Sequence, residues 1–200
     1  VPVCESHPSA PINPYGVSKL MVEKILADYD VAYDLKSCCL RYFNAAGGDP
    51  DGEIRYFDRV ETNIIPIVLK SLLSNTPVTI FGTDYDTPDG TCIRDYIHVC
   101  DLGAAHINAL RYCREENTSS AYNLGNGNGF SVREVIEAVE RVTKKKIEVI
   151  EGDRRAGDPA RLIADSSKAR SELGWEPKYS SLDAMISHAW QAMTAHSCIR

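Results

Sequence analysis

The chain has 200 residues, 44% hydrophobic content and a formal net charge of −6, with a sequence pI near 5.4. This composition is typical of a globular protein with enough apolar material for a core, which excludes a disordered chain. The acidic balance argues against nucleic acid or an anionic membrane as the main partner. No apolar run reaches the length of a membrane span and the first residues lack the layout of a signal peptide, so we expect a cytoplasmic protein.

The first predicted element is a helix from about Tyr15 to about Tyr33, introduced by Pro14. Tyr15 and Lys19 stand four residues apart, so helical spacing places the phenol and the ammonium on one face. There the cation would favour the phenolate form, and such a tyrosine can act as a base. The alternative is an exposed tyrosine next to a solvated lysine.

Strand and helix patterns follow in alternation, which predicts the α/β class. Lys36 to Phe43 is apolar and aromatic enough to be a buried strand. Asn44 to Glu61 is rich in Gly, Asp and Pro and is long enough to be a functional loop. Thr62 is the predicted cap of a helix from Ile64 to Ser74, which is followed by a strand at Val78 to Phe81.

A polar loop, T-D-Y-D-T-P-D-G-T, comes next and carries three aspartates. The spacing does not fit a calcium loop, because Pro88 occupies the third ligand position and no glutamate closes the loop. Arg94 to Val99 alternates like a strand, and Asp101 is the predicted cap of a helix from Leu102 to Arg114.

A strand at Ala121 to Leu124 leads into the turn G-N-G-N-G and a helix from Val132 to Thr143 capped by Ser131. This order imitates a dinucleotide-binding loop, but the third glycine falls one residue early and Phe130 takes its place. We therefore predict a structural turn. The remaining predicted elements are a strand at Ile147 to Ile150 and helices at Ser166 to Leu173 and Leu182 to Met193.

The cysteines are odd in number and form no C-x-x-C pair, so neither a zinc site nor a disulfide framework is indicated. They are Cys4, Cys38, Cys39, Cys92, Cys100, Cys113 and Cys198. We expect most of them to be small reduced core residues, and we predict no metal site. The sequence also contains neither G-x-G-x-x-G nor a P-loop motif.

Two further sets of side chains suit ligand binding. Arg94, Arg154 and Arg155 are flanked by glycine-rich or aspartate-rich turns, a setting in which guanidinium groups bind phosphate oxygens or sugar hydroxyls. Surface ion pairs with nearby aspartates are the alternative. Asn44 and Asn63 each sit at an element boundary, where asparagine either caps a turn or hydrogen-bonds a polar ligand.

Several stretches together resemble the UDP-glucose 4-epimerases, members of the extended short-chain dehydrogenase family. The matching stretches are N-P-Y-G-V-S-K-L-M-V-E-K-I-L (13–26), L-R-Y-F-N-A-A-G (40–47), T-P-D-G-T-C-I-R-D-Y-I-H-V (87–99), A-Y-N-L-G-N-G-N-G-F-S-V (121–132), R-R-A-G-D-P-A (154–160) and E-L-G-W (172–175). The Y-x-x-x-K pair is shared by the wider superfamily, whereas the stretch at 87–99 resembles the 4-epimerases more specifically.

The resemblance implies a mechanism that uses NAD. Tyr15 would take the proton of the sugar 4-hydroxyl while the 4-hydrogen passes as hydride to NAD, and the flat 4-keto sugar would then take the hydride back on its other face. Lys19 would assist Tyr15 and hydrogen-bond the nicotinamide ribose, and Tyr42 would lie near the nicotinamide. By match to the family's motif positions, the residues that would meet the UDP-sugar are Phe43, Asn44, Asn63, Ile64, Thr79, Phe81, Arg94, Arg155 and Asp158.

The resemblance also implies a specificity position and a domain division. Leu162 stands where family members carry either a bulky tyrosine or a smaller residue that admits N-acetylated sugars. The implied division is residues 1–60 as the end of an NAD-binding doubly wound domain and residues 61–200 as a smaller mixed substrate-binding domain. A return of the chain to the first domain is possible near residues 78–125.

The family's glycine-rich loop, its acidic residue for the adenosine ribose and its catalytic Ser or Thr lie before the Y-x-x-x-K pair, so the chain resembles the C-terminal portion of an epimerase. We expect this portion to be inactive when isolated and the full-length protein to be a homodimer. The alternatives are a dehydratase or decarboxylase on the same scaffold, or a fragment that binds nucleotide sugars without catalysis.

Overall fold

The computed structural model describes residues 2–54 and 60–195, and its order of helices and strands confirms the predicted α/β class. The elements are α1 (Pro14–Tyr33), β1 (Cys38–Tyr42), β2 (Asn44–Ala46), α2 (Ile64–Ser74), β3 (Val78–Phe81), β4 (Ile93–Arg94), β5 (Tyr96–His98), α3 (Val99–Glu115), β6 (Ser120–Leu124), β7 (Phe130–Ser131), α4 (Val132–Thr143), β8 (Val149–Gly152), β9 (Arg161–Leu162), α5 (Ser167–Leu173) and α6 (Leu182–Thr194). Residues 55–59 of the predicted loop and Cys198 lie outside the described residues. None of the described helices is long and apolar enough to cross a bilayer.

Helix α1 begins and ends where its sequence predicts. The Asn13 side chain accepts a hydrogen bond of 2.8 Å from the Gly16 amide, and Pro14 occupies the first helical position. Asp34 ends the helix in the left-handed region, at φ 55°. No residue of α1 is fully buried.

The predicted cap of α2 is wrong by one residue. Asn63, not Thr62, is the extended residue directly before the first helical position, and its backbone carbonyl accepts from the Ile67 amide at 3.2 Å. The Asn63 side chain makes no capping hydrogen bond. Its amide therefore stays available for other contacts.

The predicted cap of α3 is also wrong, because the helix begins earlier. His98 is the N-cap, and its ring nitrogen Nδ1 accepts from the Cys100 amide at 3.1 Å. Asp101 lies within the first turn and is buried. Its carboxylate accepts from the amides of Lys178 and Tyr179 at 2.8 and 3.0 Å, so it anchors a distant loop instead of capping its own helix.

The strand predicted at Arg94 to Val99 is divided into β4 and β5. Strand β4 lies between β7, to which it is antiparallel, and β9, to which it is parallel. Strand β5 instead pairs in parallel with β2. The two strands are separated by Asp95, whose buried carboxylate holds the chain at this junction.

The Asp95 carboxylate is bound by three backbone amides from two distant segments. Oδ1 accepts from Asn126 at 2.8 Å, and Oδ2 accepts from Gly127 and Ala164, each at 3.0 Å. Asp95 is fully buried, and a Cβ on Gly125 would lie only 2.5 Å from its Oδ2. The G-N-G-N-G turn thus wraps around a carboxylate, which agrees with its predicted structural role.

A second junction lies between β1 and β2, which follow each other with one residue between them. Strand β1 runs parallel to β6, and strand β2 runs parallel to β5. The Phe43 amide still donates to Leu124 of β6 at 3.1 Å, whereas the Asn44 amide already donates to Asp95 at 3.1 Å. The chain therefore changes its strand partner at Phe43.

The buried apolar residues form two clusters. One cluster draws mainly on α2, β3, α4 and α6, and includes the fully buried side chains of Val68, Leu69, Val135, Val139, Met185 and Ile186. The other draws on α3, β6 and α5, and includes Ile97, Ala105, Tyr122, Leu124, Ala169 and Trp175. The two clusters meet along the β4–β5 segment, since Tyr96 belongs to the first and Ile97 to the second.

The cysteines of the described residues are free thiols, but they are less buried than the sequence suggests. Cys92 is buried, whereas Cys4, Cys38, Cys39, Cys100 and Cys113 are only partly buried. The expectation that most of them are core residues is therefore wrong. Cys38 and Cys39 lie on β1, a strand with no fully buried residue.

His98 makes the stability of the fold dependent on pH. Its ring is fully buried, and its Nε2 atom lies 3.0 Å from the Nδ1 atom of His188 in α6. Burial, and secondly the charge of His188, lower the pKa of His98 from 6.5 to about 4. Between pH 6.5 and pH 4, His98 binds a proton in the unfolded chain but not in the folded chain. The contribution of His98 to the free energy of unfolding is therefore fully present above pH 6.5 and is lost as the pH falls towards 4.

We expect the free energy of unfolding to decrease by up to about 3 kcal/mol across this window because of His98. Urea unfolding of the protein and of His98→Asn at pH 7 and pH 4.5 measures it. The variant is expected to be less stable at pH 7 and to show a smaller loss on acidification. His7→Asn, at an exposed histidine, is the matched control. Equal pH dependence in all three proteins would contradict the assignment to His98.

Candidate active site

A cavity of about 480 Å³ opens between the start of α2, strands β3 and β4, and the segment 153–160. Most of the residues predicted to meet a UDP-sugar line it. These are Asn44, Asn63, Ile64, Thr79, Phe81, Arg94, Arg155 and Asp158. Residues far apart in sequence thus come together at one site.

Strand β3 explains why two of these residues face the cavity. Its burial alternates, so that Val78 and Ile80 are buried while Thr79 and Phe81 are exposed. This is the two-residue period of a strand with one face on the core. The side chains of Thr79 and Phe81 therefore share the open face.

Arg94 is held rigidly at the cavity wall. Its Nη1 donates to the carbonyl oxygens of Ile93 and Pro159 at 2.9 and 2.8 Å. Its Nη2 lies 3.3 Å from Asp158 Oδ1, close enough for an ion pair. This buried nitrogen nevertheless makes no well-aligned hydrogen bond within residues 2–54 and 60–195. Nη2 can therefore donate to an anion that enters the cavity.

The two adjacent arginines of the segment 153–160 have different surroundings. The guanidinium carbon of Arg155 lies 4.0 Å from the centre of the Phe81 ring, at the cavity. Arg154 instead pairs with Asp84, at 2.6 Å between Nε and Oδ1. Of the two alternatives drawn from the sequence, Arg154 follows the ion-pair one and Arg155 faces the candidate ligand site.

The two asparagines also differ. The Asn44 side chain donates to the Asp95 carbonyl at 2.8 Å, so part of its amide is used to secure the junction between β4 and β5. Asn63 lines the cavity without a side-chain capping bond. Its side chain is the better placed of the two for a ligand contact.

Several residues of the cavity wall were not identified from the sequence. They are Thr62, Ile67, Pro77, Val78, Cys92, Tyr96 and Val132. All of them are uncharged and most are apolar, and no spacing rule distinguishes such residues from core residues. Burial raises the pKa of the Cys92 thiol, so this thiol acts as an apolar wall.

Tyr15 and Lys19 lie outside this cavity, on α1. The Lys19 ammonium is 5.3 Å from the centre of the Tyr15 ring, so the two groups share one helix face as their spacing predicts. The Tyr15 side chain is 72% exposed. Lys19 borders a shallow depression together with Glu23 and Arg41, which are joined by a two-pronged ion pair. The phenol and the ammonium are therefore open to a ligand.

The remaining predicted residues stand at other positions. Tyr42 ends β1, is 51% exposed and lies 5.9 Å from the His106 ring, measured between ring centres. Phe43 is partly buried where the chain changes strand partner. Leu162 is opposite Arg94 in the pairing of β4 with β9 and is 38% exposed. These three residues do not line the 480 Å³ cavity.

The arrangement suits a ligand with a planar apolar part and a diphosphate. Ile64 and Phe81 supply an apolar wall, and Arg94 and Arg155 supply guanidinium groups on the same cavity. Planar guanidinium groups bind phosphate oxygens through paired, charge-assisted hydrogen bonds. An exposed phenol next to an ammonium adds a group that can exchange a proton.

Known proteins are similar to this chain in sequence and in fold. The family model described as GDP-mannose 4,6 dehydratase matches residues 1–188. The UDP-glucose 4-epimerase of Halalkalibacterium halodurans is 52% identical over 197 residues, which are 98% of this chain and 59% of that protein. The chain therefore spans about three fifths of the length of this relative.

Solved structures of UDP-glucose 4-epimerases have a fold similar to that of this chain. The UDP-glucose 4-epimerase from Brucella ovis in complex with NAD superimposes with a TM-score of 0.91 at 45% identity, covering 95% of this chain and 59% of that one. The enzyme from Stenotrophomonas maltophila with bound NAD and formylated UDP-arabinopyranose gives a TM-score of 0.93 at 38% identity, covering 100% and 60%. These coverages give the fraction of each relative that is matched. They do not establish the expected position of this chain in the C-terminal portion of an epimerase.

Proposed function

Because the chain belongs to the GDP-mannose 4,6 dehydratase family, whose model matches residues 1–188, we propose that it supplies the UDP-sugar pocket and the proton-transferring tyrosine of a UDP-glucose 4-epimerase. The observation that carries the proposal is the meeting of Arg94 and Arg155 with the apolar wall at Phe81 in one cavity. The likeness to epimerases at 52% and 45% identity supports the same reaction.

In the proposed reaction the cavity residues hold the nucleotide. The two guanidinium groups neutralise the diphosphate, and the apolar wall accepts the uracil ring. The Asn63 amide and the Asp158 carboxylate are the polar groups available for the sugar or ribose hydroxyls. These contacts orient the sugar with its 4-position towards α1.

On α1, Tyr15 takes the proton from the sugar 4-hydroxyl and later returns it. Tyr15 accepts the proton as phenolate, and Lys19, whose ammonium lies 5.3 Å from the ring centre, stabilises the negative charge that this form carries before the transfer. When bound, NAD supplies a hydride acceptor and donor for the sugar C4, so that the 4-position is inverted without net oxidation. The residues present fit the nicotinamide ribose, because the exposed hydroxyl and ammonium on one helix face can both hydrogen-bond a diol. Tyr42, half exposed at the end of β1, is the residue we assign to the nicotinamide ring.

Titration of the chain with UDP tests the pocket. We expect Arg94→Met to weaken UDP binding by about 10- to 100-fold, because a charge-assisted hydrogen bond contributes about 1.5–3 kcal/mol. Arg114→Met, at an exposed arginine of α3, is the matched control and is expected to bind like the unchanged chain. Calorimetric dissociation constants decide. No UDP binding by the unchanged chain, or equal binding by Arg94→Met, would contradict the assignment.

The reaction itself requires a polypeptide of the relatives' length that carries this chain. Epimerisation of UDP-galactose, followed by NMR of the product, distinguishes the proposed reaction from a dehydration that would give a 4-keto-6-deoxy sugar. The dehydratase remains the second candidate, because the matched family model carries that description. We propose that the 200-residue chain alone does not turn over UDP-galactose, since it spans about three fifths of its relatives. Turnover by the chain alone would contradict this.

Leu162 is the residue we assign to the choice between plain and N-acetylated sugars. It is partly exposed and lies opposite Arg94 in the pairing of β9 with β4. We expect a full-length enzyme with Leu162 to accept UDP-GlcNAc to some extent and Leu162→Tyr to lower kcat/KM for that sugar by about tenfold or more, relative to UDP-galactose. Leu162→Met, which nearly conserves volume, is the control. No UDP-GlcNAc turnover by the unchanged enzyme would count against the assignment.

We propose that the chain divides into two domains at about residue 60, and the two apolar clusters support this division. Elements α3, β6 and α5 then return to the first domain. Strand β6 falls within the range 78–125 predicted for a return, and α5 lies beyond it. A homodimer, a cytoplasmic location and a role in galactose metabolism complete the proposal for the full-length protein. Light scattering and fractionation of cells test the first two.

A further inference from the structure

Arg154 lies next to the cavity residue Arg155 in sequence but is bound outside the cavity. Its Nε donates to Asp84 Oδ1 at 2.6 Å, and its Nη2 donates to the Asp84 backbone carbonyl. Its guanidinium carbon also lies 4.2 Å from the centre of the Tyr85 ring. Asp84 and Tyr85 belong to the loop between β3 and β4. Arg154 therefore joins the segment 153–160 to that loop by three separate contacts.

The packing around Arg154 leaves little freedom. Gly82 adopts φ +84°, and a Cβ at this position would lie 2.6 Å from Arg154 Cγ and 2.7 Å from Tyr85 Cε2. Tyr85 is only 6% exposed, and its hydroxyl has no hydrogen-bond partner among the residues that the structure describes. Packing, and not a hydrogen bond of the hydroxyl, thus fixes the ring on which Arg154 rests.

Arg155 has weaker support of its own. Its guanidinium stacks on Phe81, a ring that is 38% exposed, and its carbonyl accepts from the Asp158 amide at 3.3 Å. The segment 153–160 leaves β8 directly after Gly152, whose carbonyl accepts from the Gly82 amide at 2.8 Å. Between Gly152 and Arg155, the contacts of Arg154 with Asp84 and Tyr85, here called the Arg154 clamp, attach the segment to the neighbouring loop. The place of Arg155 in the cavity therefore depends on the contacts of Arg154.

We propose that Arg154, clamped by Asp84 and Tyr85, is a positioning residue that holds Arg155 in the cavity for the diphosphate of the nucleotide sugar. The inference rests on the proposed function, since the diphosphate is its ligand. Arg154 itself does not touch the ligand, because its guanidinium is already bound. Its contribution is to reduce the freedom that Arg155 would lose on binding.

A double-mutant cycle on the chain separates this role from a purely structural one. We expect Arg154→Met to weaken UDP binding about tenfold and Arg155→Met to weaken it at least as much. If Arg154 acts through Arg155, the double variant binds within about twofold of Arg155→Met alone, since the two effects are then not additive. Arg161→Met, at an exposed arginine of β9, removes the same charge nearby and serves as the control. Asp84→Asn is expected to resemble Arg154→Met.

Hydrogen exchange without ligand gives a second measurement. Amides of residues 153–160 are expected to exchange faster in Arg154→Met than in the unchanged chain, while those of α4 stay the same. The melting temperature is expected to fall by no more than about 3 °C, because the Arg154–Asp84 pair is half exposed. Faster exchange without any UDP binding by the unchanged chain would refute the proposed function but not the clamp. Unchanged exchange, or additive losses of UDP affinity, would overturn the inference.

Discussion

Tyr15→Phe in a full-length enzyme that carries this chain is expected to lower kcat for UDP-galactose epimerisation by about 10²–10⁴-fold. The substitution removes one oxygen atom from an exposed side chain that no described core cluster includes. The loss therefore reflects the missing proton acceptor and not a change of fold. UDP affinity is expected to stay within about twofold, because Tyr15 lies outside the 480 Å³ cavity proposed to bind UDP.

The matched control for Tyr15 is Tyr33→Phe. Tyr33 lies at the other end of α1 and is 74% exposed, so the same atom is removed from the same helix. Initial rates and calorimetric UDP affinity of both variants make the comparison. Equal rates for Tyr15→Phe and Tyr33→Phe would rule out Tyr15 as the group that transfers the proton.

Asp95→Ala is expected to lower the free energy of unfolding by about 3–5 kcal/mol. The substitution leaves the buried amides of Asn126, Gly127 and Ala164 without their acceptor. These amides come from two segments, which are also joined by the hydrogen bonds of the Ser166 hydroxyl with Gly125. Asp95→Asn is expected to lower the free energy of unfolding by less. Its amide oxygen can still accept a hydrogen bond, while its NH₂ group faces at least one backbone donor.

Urea unfolding followed by circular dichroism measures the effect, and Asp95→Asn provides a value if the alanine variant does not fold. Asp28→Ala, at an exposed aspartate of α1, is the control and is expected to change stability by no more than about 0.5 kcal/mol. If Asp95→Asn and Asp28→Ala unfold at the same urea concentration, the hydrogen bonds of the Asp95 carboxylate do not stabilise the contact between the two segments.

The elements that the sequence predicts well are those whose signals are local. Helix α4 has its predicted bounds because Ser131 and Glu134 form a capping box next to the helix. Strand β3 likewise has its predicted bounds, since an alternating pattern ends at Gly82. The division of the strand at Asp95 is not visible locally, because the amides that bind this carboxylate lie 31 to 69 positions away.

The candidate site shows the same contrast. Motif resemblance identified most of the polar residues that meet in the cavity, since each lies in a recognisable stretch. It did not identify Cys92 or Tyr96, whose side chains become cavity wall only after β4 and β5 take separate partners. Residue type and flanking turns alone did not distinguish Arg154 from Arg155, whose surroundings differ through Asp84 and Phe81, whereas the resemblance assigned only Arg155 to the ligand.

The change of strand partner at Phe43 limits how this part of the chain can vary in length. Strands β1 and β2 are separated by a single residue, and each is held in its own parallel register. A deletion or insertion at Phe43 would shift one strand against its neighbour by one residue, which turns every following side chain to the opposite face. Among natural variants of this protein, we therefore expect substitutions between Cys38 and Ala46 but no gaps.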